Sequence, residues 1–212
     1  MKRRAFLTIG LVTAATQATA LPFDRQWFTQ GFPFRRQTRF GLQGERLTVE
    51  SDAGVALVLR KLDPSLWGAR SASWRWDVAR SVPPTDLARK GGDDRNLALY
   101  FAFLPRARAE ALIDAPPRRV LTDEAATTLV YVWGGMRDRG TFIQSPYLGA
   151  RGMTVVLRPA APGSHSEEVD LAADHQRAFG TAPEALFGIA VSADADDTGS
   201  AIAGNVSDLR LG

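Results

Sequence analysis

Ser73-Trp74-Arg75-Trp76-Asp77-Val78 is the stretch that decides the fold class. Large apolar residues fall at 74, 76 and 78 and charged ones at 75 and 77. A helix would scatter these residues around its axis. A strand alternates its side chains between two faces and so gathers the apolar set on one side. The segment therefore predicts a half-buried strand, ended by Pro83-Pro84. Leu97–Leu104 repeats the pattern, with Leu97, Leu99, Phe101 and Phe103 on one face and Tyr100 on the other.

Further strands are predicted outward from these two. Leu129–Trp133 stops at Gly134-Gly135, and Thr141–Ser145 follows. Met153–Leu157 is closed by Pro159 and Pro162, and Leu186–Ser192 and Val206–Leu211 come last. Upstream, Leu47–Ser51 alternates and Val55–Arg60 is continuously apolar. Asp52-Ala53-Gly54 between them reads as the turn of a hairpin. Asp86–Lys90 reads as a loop or one helical turn, and Arg106–Asp114 as a short helix broken by Pro116-Pro117. Val169–Phe179 is the best helix, with a stripe of Val169, Ala172, Ala173 and Gln176 and with Gly180 as its C-cap. Leu21–Arg39 is aromatic without a period and is expected to lie across the domain. Many short strands and one or two short helices predict a mainly β protein, a β-sandwich or jelly-roll-like fold, with a mixed α+β fold as the rival.

The first twenty residues are expected to be an export signal rather than part of the fold. Lys2, Arg3 and Arg4 form a basic start, Ala5–Ala15 a short apolar stretch, and Ala18-Thr19-Ala20 a small-residue cleavage site before Leu21. Arg3-Arg4-Ala5-Phe6-Leu7 resembles the twin-arginine signal, which exports folded proteins; an ordinary secretory signal is the alternative. The apolar stretch is too short to span a membrane. Residues 21–212 are then one domain, long enough for an ordinary core, in the periplasm or outside the cell.

The whole chain has 26 Lys+Arg against 23 Asp+Glu, a net charge of +3. Lys2, Arg3 and Arg4 account for the excess, so residues 21–212 are formally neutral. Nucleic-acid binding, which needs a basic face against phosphates, is not expected. The absence of Cys removes disulfides, thiolate metal sites and a Cys nucleophile. His165 and His175 are the only histidines, and no nucleophile elbow, paired-His zinc spacing or phosphate loop occurs. His165 is expected in a solvated loop. Asp174 and Arg177, spaced i, i+3, are expected to pair on the helix surface.

Five pieces recur together: Trp74-Arg75-Trp76; Lys90-Gly91-Gly92-Asp93-Asp94; Tyr131-Val132-Trp133; Asp174-His175-Gln176-Arg177-Ala178-Phe179-Gly180; and the run from Gly188 through Asp194-Ala195-Asp196-Asp197-Thr198. In this order they resemble the exported domain-of-unknown-function family 3047, from about Trp74 to the C-terminus. His175 stands where that pattern has Tyr, and Asp197 where it has Asn. The resemblance implies no activity that carries over. Its closing segment is similar to that of sandwich domains that bind carbohydrate, a likeness of fold and not of function.

Two features point to chemistry. Asp194, Asp196 and Asp197, followed by Thr198-Gly199, place oxygen ligands at the spacing a structural calcium ion uses, without the Glu that closes an EF-hand. The alternative is an acidic turn whose carboxylates bond local amides. Asp93 and Asp94 stand before a strand and suit metal or acid–base work. As neighbours they point to opposite faces, so any catalytic partner lies elsewhere, with Asp77 a candidate. Otherwise one of them is buried against an arginine such as Arg75 and the other is solvated.

Trp74 and Trp76, with Tyr131 and Trp133, are either sandwich core or an aromatic platform for sugar rings. If core, Arg75 and Tyr100 face a groove instead. The candidate ligand-binding set is thus Arg75, Asp77, Asp93, Asp94, Tyr100 and Trp133. The leading expectation is a non-catalytic module binding a glycan or glycoconjugate. A polysaccharide hydrolase or lyase on a jelly roll, and a structural envelope protein with a protein partner, are the alternatives.

Overall fold

In a computed structural model, which describes residues 18–117, 119 and 122–212, Trp74 and Trp76 lie between two stacked sheets, 2% and 0% exposed. The basic and apolar parts of the expected export signal lie outside the described residues.

The strands in chain order are β1 Thr19–Ala20, β2 Phe28–Gly31, β3 Arg39–Gln43, β4 Arg46–Asp52, β5 Val55–Lys61, β6 Ser71–Arg80 and β7 Arg95–Leu104. They continue as β8 Thr127–Gly134, β9 Phe142–Ser145, β10 Gly149–Arg158, β11 Gly163–Asp170, β12 Ala185–Asp194 and β13 Ala201–Leu211. Helix α1 is Arg106–Ala111 and α2 is Leu171–Phe179. One sheet runs β11-β6-β13-β4-β3, with β1 added beside β13; the other runs β2-β5-β12-β7-β8-β10-β9. All pairings are antiparallel except β8 with β10. This is the expected β-sandwich. No described helix is long and apolar enough to cross a membrane.

The core explains the register. Leu97, Leu99, Phe101 and Phe103 of β7 and Leu129, Tyr131 and Trp133 of β8 meet Trp74, Trp76 and Val78 of β6. Trp74 stands edge-on to Trp76 at 5.4 Å between ring centroids, and Trp76 lies 5.5 Å from Trp133. Each such ring buries about 150–250 Å², worth roughly 4–6 kcal/mol at 25 cal/mol per Å². A one-residue slip would turn the tryptophans out to water. Of the two readings of Trp74, Trp76, Tyr131 and Trp133, core therefore holds for all four, and Trp133 is corrected as a ligand-binding candidate.

Other expectations are also corrected. β4 and β5 do not pair. β4 joins β3 and β13, whereas β5 joins β2 and β12 in the other sheet. The turn at Ala53 (φ 48°) carries the chain across the sandwich, and the Ala53 amide donates to the Ser200 carbonyl at 2.8 Å. The different patterns of the two strands reflect this: β4 buries alternate residues, and β5 buries both faces of its middle.

α2 begins at Leu171, capped by Asp170, whose side chain accepts from the Ala173 amide. Its buried positions are Leu171 and His175, not the predicted stripe; Gly180 does cap it, at φ 74°. Asp174 does not pair with Arg177; it accepts a 2.7 Å bond from the buried Tyr131 hydroxyl, while Arg177 covers the Phe142 ring. His165 is not in a loop but on β11, its ring 4.8 Å from that of Trp133. At that edge Glu167, fully buried at its side chain, holds Arg158 at 2.8 Å and Arg139 at 2.9 Å.

Candidate functional site

The two central strands of the seven-stranded sheet alternate large and small residues. On β12, Phe187, Ile189 and Val191 point into the core, while Gly188, Ala190 and Ser192 point outward. On β7, Leu97, Leu99 and Phe101 point in, and Ala98, Tyr100 and Ala102 point out. Small residues on the outer face leave a trough, which forms a cleft of about 460 Å³. Its floor is mostly apolar, with Leu59, Ala102, Val130 and Ala190. Phe32-Pro33, between β2 and β3, and Pro146-Tyr147-Leu148, between β9 and β10, form its walls. Phe32 and Tyr147 remain 43% and 59% exposed, which leaves both rings accessible.

One end of the cleft is polar and is organised by Arg95, the first residue of β7. Its Nη1 donates to the Asp93 backbone carbonyl at 2.9 Å and to Asp93 Oδ2 at 3.0 Å. The same nitrogen lies 3.3 Å from Asp194 Oδ2, across the β7–β12 pair. Nη2 donates to the Tyr100 hydroxyl at 2.8 Å, and that hydroxyl shares a hydrogen bond with Ser192 Oγ at 3.2 Å. Tyr147 reaches in from the wall and donates to Asp93 Oδ1 at 2.8 Å. Burial, then the bond to Asp93, pushes the Tyr147 hydroxyl up to about 12. Asp194 is pushed up to about 8, chiefly by burial; Arg95 opposes the shift, and Asp196 and Asp94 add to it.

The acidic turn after β12 sits against the same end. Asp94 is fully buried, and its Oδ2 accepts from the Thr198 amide at 2.7 Å and the Thr198 hydroxyl at 2.6 Å. The Asp197 amide approaches Oδ1 at 3.4 Å. Asp196 pairs with Arg35 at 2.7 Å. One carboxylate oxygen from each of Asp94, Asp196 and Asp197 falls within 4.8 Å of the others. Partial burial and the neighbouring carboxylates of Asp196, Asp94 and Asp93 raise the Asp197 carboxyl above the usual range.

The fold thus brings together Asp93, Asp94, Tyr100, Asp194, Asp196 and Asp197. It does not bring in the other candidates. Arg75 and Asp77 lie on the opposite sheet, on the face of β6 turned away from the core, where Arg75 borders a shallow depression with Ser73, Glu168 and Arg210. Trp133 is 1% exposed inside the sandwich and has no surface to offer a ligand. The arginine that buries Asp93 is Arg95, not Arg75. Sequence reasoning missed Arg95, Ser192, Tyr147, Phe32 and Arg35. Arg95 carried a signal, a charge at the mouth of an apolar strand and beside two acids. Tyr147, in a turn without periodicity, carried none.

The chain belongs to the family described as "protein of unknown function (DUF3047)", whose model matches residues 25–210. No curated protein matches it. Among solved structures it is similar to the xyloglucanase domain of NopAA, a type three effector from Sinorhizobium fredii, in complex with cellobiose (TM-score 0.48, 9% identity, covering 88% of this chain and 92% of that one). It is also similar to the family 11 carbohydrate-binding module of the cellulosomal cellulase Lic26A-Cel5E of Clostridium thermocellum (TM-score 0.42, 10% identity, 93% and 95% covered). A third is the family 11 xylanase from Neocallimastix patriciarum (TM-score 0.37, 11% identity, 88% and 100% covered).

Proposed function

We propose that this member of the DUF3047 family is an exported protein that binds a glycan or glycoconjugate along the cleft. The observation that carries the reading is one cleft with an apolar floor, two accessible rings and a dense polar end. Sugar rings present apolar C–H faces and a hydroxyl rim, and such ligands need apolar contact and a few fixed hydrogen-bonding groups together. Tyr147 and Phe32 supply faces for stacking. Arg95, Ser192, Asp93 and Asp194 supply donors and acceptors already held in place by one another. Export rests on the sequence Lys2–Ala20.

Binding is the first reading because the carboxylates at the polar end are engaged by neighbours: Asp93 is held by Arg95 and Tyr147, Asp194 by Arg95 and Asp196 by Arg35. A glycosidase instead needs two carboxyl groups free to flank the scissile bond.

The test is a set of thermal melts and calorimetric titrations of the purified protein against soluble oligosaccharides. A ligand of the native state stabilises by about 2.7 kcal/mol at a hundredfold excess over Kd. The expected result is a rise in Tm selective for one glycan class. Tyr147→Ala should weaken that binding about tenfold, near 1.4 kcal/mol. Ala102→Leu, which fills the floor, should abolish it, at a cost of about 1–3 kcal/mol to the ligand-free fold because Ala102 is buried. Flat melts across the panel would remove the reading and favour a protein partner; product in the same samples would favour the hydrolase.

A further inference from the structure

The acidic end of the cleft holds more negative charge than its own side chains neutralise. Among the described residues, Asp93, Asp94, Asp194, Asp196 and Asp197 have only Arg95 and Arg35 as ion-pair partners there. Arg35 is half exposed and reaches only Asp196. Three of the carboxylates, from the start of β7 and from the turn after β12, already place oxygens within 4.8 Å of one another. A separate observation concerns Asp194. The residue is 9% exposed, and its Oδ1 is buried without any hydrogen-bond partner. Its other oxygen, Oδ2, lies 3.3 Å from Arg95 Nη1. A desolvated carboxylate oxygen without a donor, beside a cluster of three further carboxylates, needs a positive charge to offset it.

We propose that Asp94, Asp194, Asp196 and Asp197 form a binding site for a divalent cation, calcium in preference to magnesium. The ligand atoms are all carboxylate oxygens and no His is among them, which excludes a preference for softer metals. Calcium accepts six to eight oxygens in irregular geometry at about 2.3–2.6 Å, whereas magnesium demands a near-ideal octahedron. Ligands drawn from a strand mouth and a tight turn meet the first requirement better than the second. Asp94 would then have two functions: its Oδ2 pins the turn through Thr198, and its Oδ1, with only the long contact to the Asp197 amide, is left for the ion. Arg35 would swing off Asp196 into solvent as the ion enters. The site stands whatever the cleft binds, so it does not depend on the glycan reading.

The test uses chelator-stripped protein, with melts and calorimetry in calcium, magnesium and sodium chlorides at matched ionic strength. The expected result is a saturable calcium-dependent rise in Tm with a half-effect near about 10⁻⁴ M, and a magnesium half-effect at least about tenfold higher. Asp196→Asn should move the calcium half-effect up by about tenfold or more, because ligand charge sets affinity at oxygen sites. Asp196 is partly exposed, so this variant is expected to keep the wild-type circular dichroism spectrum. Asp197→Asn, on the exposed part of the turn, is the second variant and should act in the same direction. Terbium luminescence, displaced by calcium in wild type and lost in both variants, gives a readout independent of stability. A wild-type protein indifferent to calcium, or a response unchanged in both variants, would overturn the proposal.

Discussion

Replacing Arg95 by Met tests whether one guanidinium holds the polar end of the cleft together. The side chain is 13% exposed, and its partners Asp93 and Asp194 are 7% and 13% exposed at theirs. Met fills a similar volume but leaves two carboxylates, the Tyr100 hydroxyl and the Asp93 carbonyl without their donor. Removing one partner of a buried ion pair costs about 3–5 kcal/mol, because the stranded charge stays desolvated. Water entering from the cleft offsets part of this, so the lower end, about 3 kcal/mol, is expected. Arg95→Lys keeps the charge but cannot span Asp93 and Tyr100 at once, and about 1–2 kcal/mol is expected. Urea unfolding followed by the fluorescence of the buried tryptophans measures both, and an unchanged m value would keep the comparison valid. In an Asp93→Asn background the Met substitution should cost less than in wild type, since one stranded charge is gone. The reasoning is refuted by an Arg95→Met protein within about 1 kcal/mol of wild type, or by a lysine variant as unstable as the methionine one.

Further predictions follow from positions outside the cleft. His175 accepts from the Thr127 hydroxyl at Nε2 (2.8 Å) while Nδ1 donates to the Thr181 carbonyl (2.7 Å), an arrangement of the neutral ring. Burial lowers its affinity for a proton below the ordinary 6.5, with the Thr181 bond opposing and Arg70 adding. The stability this contributes is therefore complete above pH 6.5 and declines as pH falls through 6.5 toward the lower folded value, because the unfolded chain takes up the proton first. The stability difference between wild type and His175→Gln should accordingly shrink between about pH 7 and pH 5, by at most roughly 1.4 kcal/mol per pH unit, and a pH-independent difference would contradict it. Gly204→Ala should destabilise by about 1–3 kcal/mol in thermal melts. A Cβ there would stand 2.5 Å from the Asp77 carbonyl oxygen. A neutral result would mean that β13 can slide from β6.

The fold was largely legible in the sequence, because strands that bury one face show it as alternation. Ser73–Val78 and Leu97–Leu104 lie inside β6 and β7, and Val206–Leu211 inside β13. Sheet membership was not legible, because the Asp52–Gly54 turn looks alike whether it closes a hairpin or crosses a sandwich. β5 held the distinguishing sign, apolar residues without alternation, as a strand covered on both faces should show. His165 misled because a Gly-Ser setting reads as a loop, yet eight residues, Gly163–Asp170, pair with β6 there. Of the site, Asp93, Asp94, Tyr100 and the acidic turn were found from charge and position. Arg75, Asp77 and Trp133 were not part of it. Alternation says which residues share a face, not which face holds the cleft. Ala102, Gly188 and Ala190 marked it, by being small where their strands' other faces are large.

That alternation has a consequence for how such a chain can diverge. Over Leu99–Ala102 of β7 and Gly188–Ser192 of β12, inward and cleft-lining residues alternate, so the two sets of constraints interleave along the same strands. Lineages can retool specificity at 100, 102, 190 and 192 while the inward residues hold the architecture constant. A saturation library of these strands, sorted separately for expression and for ligand capture, should yield two tolerance profiles out of phase by one residue. Designers get the same freedom: a scaffold whose recognition surface can be rewritten one residue out of two.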